Sequence, residues 1–257
     1  MELGIEGRVA LVTGGSRGIG RASAEALARE GVAVAVAARG AEGVDAAVAA
    51  IRAMGGRAEG IVMDMSDPAG PAAAVFACES VLGPVDVLVA NAGGPPPGPF
   101  LATDDAGWDM AVQQNLLGTI RLIRAALPGM RDRGWGRIIT VTSTSVREVI
   151  DGLALSNATR AGVAGAVRTL AREVAADGVT VNNVLPGPIL TGRMRELLAA
   201  DPDLDAAIAA RGARNPTGRV GDPAEVGDLV AFLASDRAAF ITGGSVMIDG
   251  GESRVVG

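Results

Sequence analysis

Residues 13 to 20 read Thr13-Gly14-Gly15-Ser16-Arg17-Gly18-Ile19-Gly20, directly after the apolar run Val9 to Val12. Glycines at 14, 18 and 20 permit a tight turn, close backbone approach to a pyrophosphate and close helix–strand packing, and the amides that open the next helix face the negative charge. Ser16, Arg17 and Ile19 complete the turn. The strand-to-helix context makes a dinucleotide the stronger reading and a Gly-rich turn without ligand the weaker one. A site for NAD normally carries an acid at the end of the second strand to bind the ribose hydroxyls. Here that stretch is Ala37-Ala38-Arg39. Arg17 and Arg39 would flank a 2′-phosphate, which favours NADP(H) over NAD(H).

The side chains that usually move protons beside a nicotinamide are missing. The chain has no tyrosine and no histidine, and all 23 of its basic residues are arginine. Acid–base chemistry must therefore come from Asp, Glu, Ser, Thr, Arg, water or the substrate. Ser-His-Asp and Cys-His mechanisms are excluded, and with only carboxylates left to hold a transition metal no metal site is expected. The single cysteine, Cys78, permits no intrachain disulfide and reads as a packing residue of an Ala-rich helical stretch.

These groups need a scaffold, and composition allows one. With 257 residues, 49% of them apolar, residues 1–257 fit a single α/β domain. A net charge of −6 without a basic stripe argues against nucleic acid as a partner. The segment Met1 to Thr13 lacks a positive n-region and its apolar run is too short for a signal peptide or a membrane span, so the expected address is cytoplasmic and no membrane contact is expected. Strand signals at Arg8–Thr13, Val32–Ala37, Ala58–Met63, Val85–Ala90, Arg137–Thr142, Thr180–Leu185 and Ser245–Ile248 alternate with helical patterns at Ile19–Glu30, Val44–Met54, Pro68–Leu82, Ala106–Arg131, Leu153–Ala176 and Pro223–Ser235. That alternation predicts right-handed crossovers and a doubly wound parallel sheet covered on both faces. Asp222 is expected to cap the last helix, and Pro186 to Pro216 reads as an irregular excursion. Trp108 and Trp135 read as packing residues with no cation beside them.

Several separate motifs then agree along the whole chain, and together they resemble the short-chain dehydrogenase/reductase family, particularly its 3-oxoacyl-ACP reductases. The resemblance implies a Rossmann-type fold and a nicotinamide cofactor. It places Asp64 and Met65, after the third strand, at the adenine, and Asn91-Ala92-Gly93, after the fourth, beside the cofactor. It sets Asn115 where the family carries a helix-borne catalytic asparagine and Ser143 in the place of the catalytic serine. Pro186, Gly187, Ile189 and Thr191 fall in the segment that holds the nicotinamide. Family members commonly assemble through the helices that correspond here to Ala106–Arg131 and Leu153–Ala176, so a homo-oligomer, tetramer or dimer, is expected.

One motif departs from the pattern. Where the family carries Tyr-x-x-x-Lys, this chain reads Ser156-Asn157-Ala158-Thr159-Arg160. Arg160 keeps the charge and the expected ribose contact but is a poor proton relay, and Ser156 is shorter and far less acidic than a phenol. The proton donor would be a water held by Ser156 and polarised by Arg160, Ser156 itself, or a nearby acid, Glu148 or Asp151. The leading expectation is NADP(H)-dependent hydride transfer on a small carbonyl or alcohol substrate. A non-catalytic cofactor-binding sensor or partner subunit, and a non-redox lyase or isomerase in the same pocket, are the alternatives. The stiff segment Gly93 to Phe100, with three consecutive prolines, reads equally as a wall of the substrate pocket and as a rigid surface turn.

Overall fold

The computed structural model describes residues 2–199 and 201–255. Short β-branched and Ala-rich runs form β1 (Val9–Thr13), β2 (Ala33–Ala38), β3 (Ala58–Val62), β4 (Val87–Asn91), β5 (Gly136–Val141), β6 (Val179–Pro186) and β7 (Ser245–Ile248). All neighbours pair in parallel, in the order β3-β2-β1-β4-β5-β6-β7. The helices are α1 (Gly18–Arg29), α2 (Ala41–Ala53), α3 (Gly70–Val81), α4 (Asp105–Ala111), α5 (Gly118–Asp132), α6 (Ala154–Val174), α7 (Gly192–Leu198), α8 (Leu204–Ala213) and α9 (Pro223–Ala234).

Strand alternation divides the core. Ala10, Val12, Val34 and Val36 meet Leu27 of α1, Val48 of α2 and Val230 of α9 on one face. Val9, Leu11, Ala35 and Leu88 meet Cys78 of α3, Leu122 and Met130 of α5 and Val167 of α6 on the other. Each fully buried Val, Leu or Met contributes about 1.5–3 kcal/mol relative to exposure, so the two layers hold the sheet flat against its helices. The chain runs outward from β1 to β3 and then returns to set β4 against β1. That reversal opens a crevice beyond the carboxyl ends of the strands, the expected place for a ligand in a doubly wound sheet.

The predicted alternation and parallel sheet are present, with three corrections. The stretch Ala106–Arg131, read as one helix, is α4, a π turn over Val112–Leu117 and α5. Hydrophobic periodicity does not register one inserted residue, and π turns concentrate at functional sites. The excursion Pro186–Pro216 contains α7 and α8, each started by a side-chain cap: Thr191 Oγ1 accepts from the Met194 amide at 3.3 Å and Asp203 Oδ1 from the Ala206 amide at 3.0 Å. Trp135 has cations on it, with the Arg8 and Arg137 guanidinium carbons 3.8 and 4.2 Å from its ring centroid. Partners distant in sequence supply one of these stacks, which a local reading does not see. Trp108 packs edge-on against Phe100.

Asp222 caps α9 as expected. Its Oδ1 accepts from the Ala224 amide, and Glu225 Oε2 accepts from the Asp222 amide, each at 2.8 Å, in a capping box. Cys78 is buried, and burial pushes its thiol up to about 12, which makes it unreactive. Among the described residues no helix is long and apolar enough to cross a membrane.

Candidate active site

The crevice is a single cleft of about 1350 Å³ that begins at the glycine loop and ends over β5 and β6. At its first end Gly14 and Gly18 have φ of 58° and 57°, the left-handed region that a side chain disfavours. Gly20 serves packing: a Cβ there would collide with the Gly14 carbonyl. Helix α1 starts at Gly18 with no side-chain cap and no acid in its first turn, so its leading amides keep their capacity for an anion. Thr13 Oγ1 receives the Asn91 amide at 3.0 Å and so fixes the loop against the end of β4.

Arg17 and Arg39 both line this end and both are exposed. Arg17 makes a 3.4 Å ion pair with Glu196 of α7, while Arg39 makes none among the described residues. Asp64 is held ionised: the Ser66 amide and hydroxyl donate to its Oδ1 at 2.9 and 2.8 Å, and the Ser66 amide bond is the main cause that lowers its pKa. Met65, Asn91, Ala92 and Gly93 continue the wall, with Ser16, Ile19, Pro186, Gly187, Ile189 and Thr191. Backbone amides for a pyrophosphate, two arginines for a phosphate and an apolar floor together fit a phosphorylated dinucleotide.

At the other end the cleft is built from side chains. Ser143 lies two residues beyond β5, and its Oγ accepts from the Ser145 amide at 3.1 Å. Ser156, on the first turns of α6, accepts from Arg160 Nε at 3.1 Å. The i, i+4 spacing on one helix face produces that contact. Arg160 Nη1 donates to the Val141 and Thr142 carbonyls at 3.2 and 2.7 Å, which pins the guanidinium against the end of β5. Burial, and then the nearby Arg193 charge, push its pKa down to about 10, so it stays protonated at neutral pH.

Of the candidate catalytic and cofactor-binding residues, the structure brings all but two to the cleft wall. Gly20 lies behind it. Asn115 lies in the π turn, buried, with its Nδ2 donating to the Gly93 carbonyl at 3.0 Å. Gln114 Nε2 donates to the same carbonyl, also at 3.0 Å. Asn115 therefore fixes the strand-end loop that carries Gly93. Glu148 and Asp151 stand on the exposed rim. Pro95, Pro96 and Pro97 line the cleft, with Pro95 buried and Pro96 and Pro97 also exposed at the surface.

Sequence reasoning missed Arg193. Its Nη2 donates to the Pro95 carbonyl at 2.7 Å, so α7 is tied across the mouth of the cleft to the proline segment. The Thr191 cap was the signal that would have placed Arg193 on a helix facing the site. Among the described residues no group of three His, Cys, Asp or Glu is arranged to hold a metal ion.

Known proteins resemble the chain over nearly its whole length. A family model described as enoyl-(acyl carrier protein) reductase matches residues 14–253. The chain is 39% identical over 249 residues to the 3-oxoacyl-[acyl-carrier-protein] reductase FabG of Escherichia coli, covering 97% of this chain and 98% of that protein. The structure of L-sorbose reductase from Gluconobacter frateurii, complexed with NADPH and L-sorbose, superposes with a TM-score of 0.94 at 32% identity over the whole of both chains. An NADPH-bound short chain oxidoreductase from Pseudomonas aeruginosa PAO1, described as containing an atypical catalytic center, superposes with a TM-score of 0.89 at 37% identity, covering 97% of this chain and 98% of that one.

Proposed function

The chain belongs to the short-chain dehydrogenase/reductase family, and from that premise we propose how its altered site works. The protein is an NADP(H)-dependent oxidoreductase acting between a small carbonyl compound and the corresponding alcohol. When bound, the nicotinamide supplies or accepts the hydride. The amides of Gly14 to Gly20 hold the pyrophosphate, Arg17 and Arg39 take the 2′-phosphate, and Asp64 and Met65 face the adenine. Asn91 to Gly93, with Pro186, Gly187, Ile189 and Thr191, form the nicotinamide end.

One observation carries the reading of the reacting end. Ser143 and Ser156 each already accept one N–H bond, from the Ser145 amide and from Arg160 Nε, so each keeps its own proton to donate into the cleft. A carbonyl oxygen set between them receives two hydroxyl donors. In the direction of reduction Ser156 gives up its proton to that oxygen, and the 3.1 Å contact with Arg160 stabilises the charge left on Oγ. A proton from bulk solvent, relayed through water in the open cleft, reprotonates Ser156. Arg160 is a fixed charge in this scheme and relays no proton; one N–H of its Nη2 reaches the ribose and the other stays directed into the cleft. Asn115 is a positioning residue that keeps the Gly93 loop in place.

Residues 1–257 act as one dinucleotide-binding domain of a cytoplasmic homo-oligomer. Exposed Ala158, Ala161, Gly162 and Gly165 on α6, small enough for close helix approach, support the assembly.

Titration with NADPH and NADH, then a panel of carbonyl and alcohol substrates on wild type and Ser143→Ala, tests the function. NADPH-dependent turnover that falls sharply in Ser143→Ala is expected. Tight NADPH binding with no turnover across the panel would sink the redox reading.

A further inference from the structure

Arg160 is a half-buried cation with no counter-ion among the described residues. Its protein partners are two carbonyl oxygens and the Ser156 hydroxyl, and no carboxylate lies within ion-pair distance among the described residues. Its Nη2 has no protein acceptor among those residues, and the side chain lines the cleft. Ribose hydroxyls are dipoles and do not neutralise a formal charge. A second cation, Arg193, reaches the same end of the cleft from α7, and its contact with Glu196 is 3.7 Å, longer than its 2.7 Å bond to Pro95. The proximity is felt electrostatically, since the Arg193 charge adds to burial in lowering the Arg160 pKa. Of the carboxylates lining the cleft, Glu148 and Asp151 are exposed and pair with neither arginine, and Glu196 is shared between Arg193 at 3.7 Å and Arg17 at 3.4 Å. Positive charge therefore accumulates beside the two serine hydroxyls, in space that the short Ser156 side chain leaves open.

We infer that the substrate carries a carboxylate, or an equally compact anion, and that Arg193 and Arg160 Nη2 receive it. This deepens the oxidoreductase reading and rests on it. Arg160 presents Nε to Ser156 and Nη2 to the cleft from one planar fork, so the carbonyl oxygen on Ser156 and the anion on Nη2 belong to neighbouring groups of one small molecule. That geometry selects 2-oxo and 3-oxo acids and the matching hydroxy acids. Arg193 is then a specificity-determining residue: its position on α7 lets it close on the anion while the proline segment anchors it.

Two measurements separate this inference from the function beneath it. The first is calorimetry with malonate and with malonamide on NADPH-saturated protein, wild type and Arg193→Met. Malonate is expected to bind wild type, to weaken about 10²-fold in Arg193→Met, and malonamide not to bind. Equal binding of the two compounds, no malonate binding, or an unchanged malonate affinity in Arg193→Met overturns the anion site whatever the turnover. The second is kcat/KM for 2-oxo and 3-oxo acids against their methyl esters. A preference for the acids that collapses in Arg193→Met supports the inference, and esters turned over as well as acids refute it. Malonate binding lost in Arg193→Met, with no turnover of any compound, keeps the anion site and removes the oxidoreductase.

Discussion

The two ends of the cleft are built on different principles. The end under β1, β2 and β3 is made mainly of backbone: positive-φ glycines, the bare start of α1, and two exposed arginines added at its edge. The end over β5 and β6 is made of side chains from the segment after β5 and from α6 and α7 that hold one another, Ser143 to Ser145, Arg160 to Ser156 and the carbonyls at the end of β5, Arg193 to Pro95. A backbone cradle depends on a few glycines and tolerates little change in them. A side-chain constellation held by its own hydrogen bonds places no comparable demand on the backbone, and on the proposed reading it exchanges phenol and ammonium for hydroxyl and guanidinium. The family's chemistry is thus free to drift at one end while the other keeps its form.

That contrast can be broken in order of size. Ser143→Ala is expected to lower kcat/KM by about 10² to 10⁴, roughly 3–5.5 kcal/mol, with NADPH affinity unchanged; steady-state kinetics beside a binding titration checks both. Should cofactor affinity fall with it, the two ends are not separable. Arg39→Ala acts on the opposite end: NADPH binding should weaken by about 1.5–3 kcal/mol and NADH binding should hold, as two titrations would show. A parallel loss for both nucleotides would contradict a 2′-phosphate contact.

Asp222→Ala touches neither end and should cost about 1 kcal/mol of stability in chemical denaturation, with catalysis intact. The same capping box gives a pH dependence. The Arg219 side chain first, and then the Asp222 amide, hold the Glu225 carboxyl at about 2 against an ordinary 4.5. A depressed carboxylate pKa adds stability that is complete above about 4.5 and is lost as pH falls toward 2. Glu225→Gln should flatten the acid limb of stability across that window; an unchanged limb would contradict it. The smallest effect belongs to Glu196→Gln. Glu196 competes with a phosphate for Arg17 at an exposed site, so its removal should tighten NADPH by less than about 1 kcal/mol, and more in low salt than in high.

The contrast also explains what could be read from residues alone. Glycine spacing encodes the first end locally, and strand alternation encodes the sheet, so both were legible. Ser156 and Arg160 were legible as a departure because their i, i+4 spacing survives. Arg193 was not, because its role depends on α7 folding back over the proline segment, 98 residues away in sequence. Asn115 was placed correctly on its helix, but the π turn that buries its side chain leaves no periodic mark. Trp135 was misread for the same reason as Arg193, since Arg8 comes from a distant strand end.

The stacked Trp135 has a practical side. The chain has two tryptophans and no tyrosine, so its ultraviolet emission is a two-source signal. Trp135 sits just before β5, at the amino-terminal pole of the sheet, between two guanidiniums. Trp108 sits on α4, whose Gly107 faces Leu155, the neighbour of Ser156, at the opposite pole. With Trp108→Phe the remaining fluorophore reports on the amino-terminal strand ends, and with Trp135→Phe on the packing of α4 against Phe100. Each pole of the sheet thus carries its own spectroscopic reporter of unfolding.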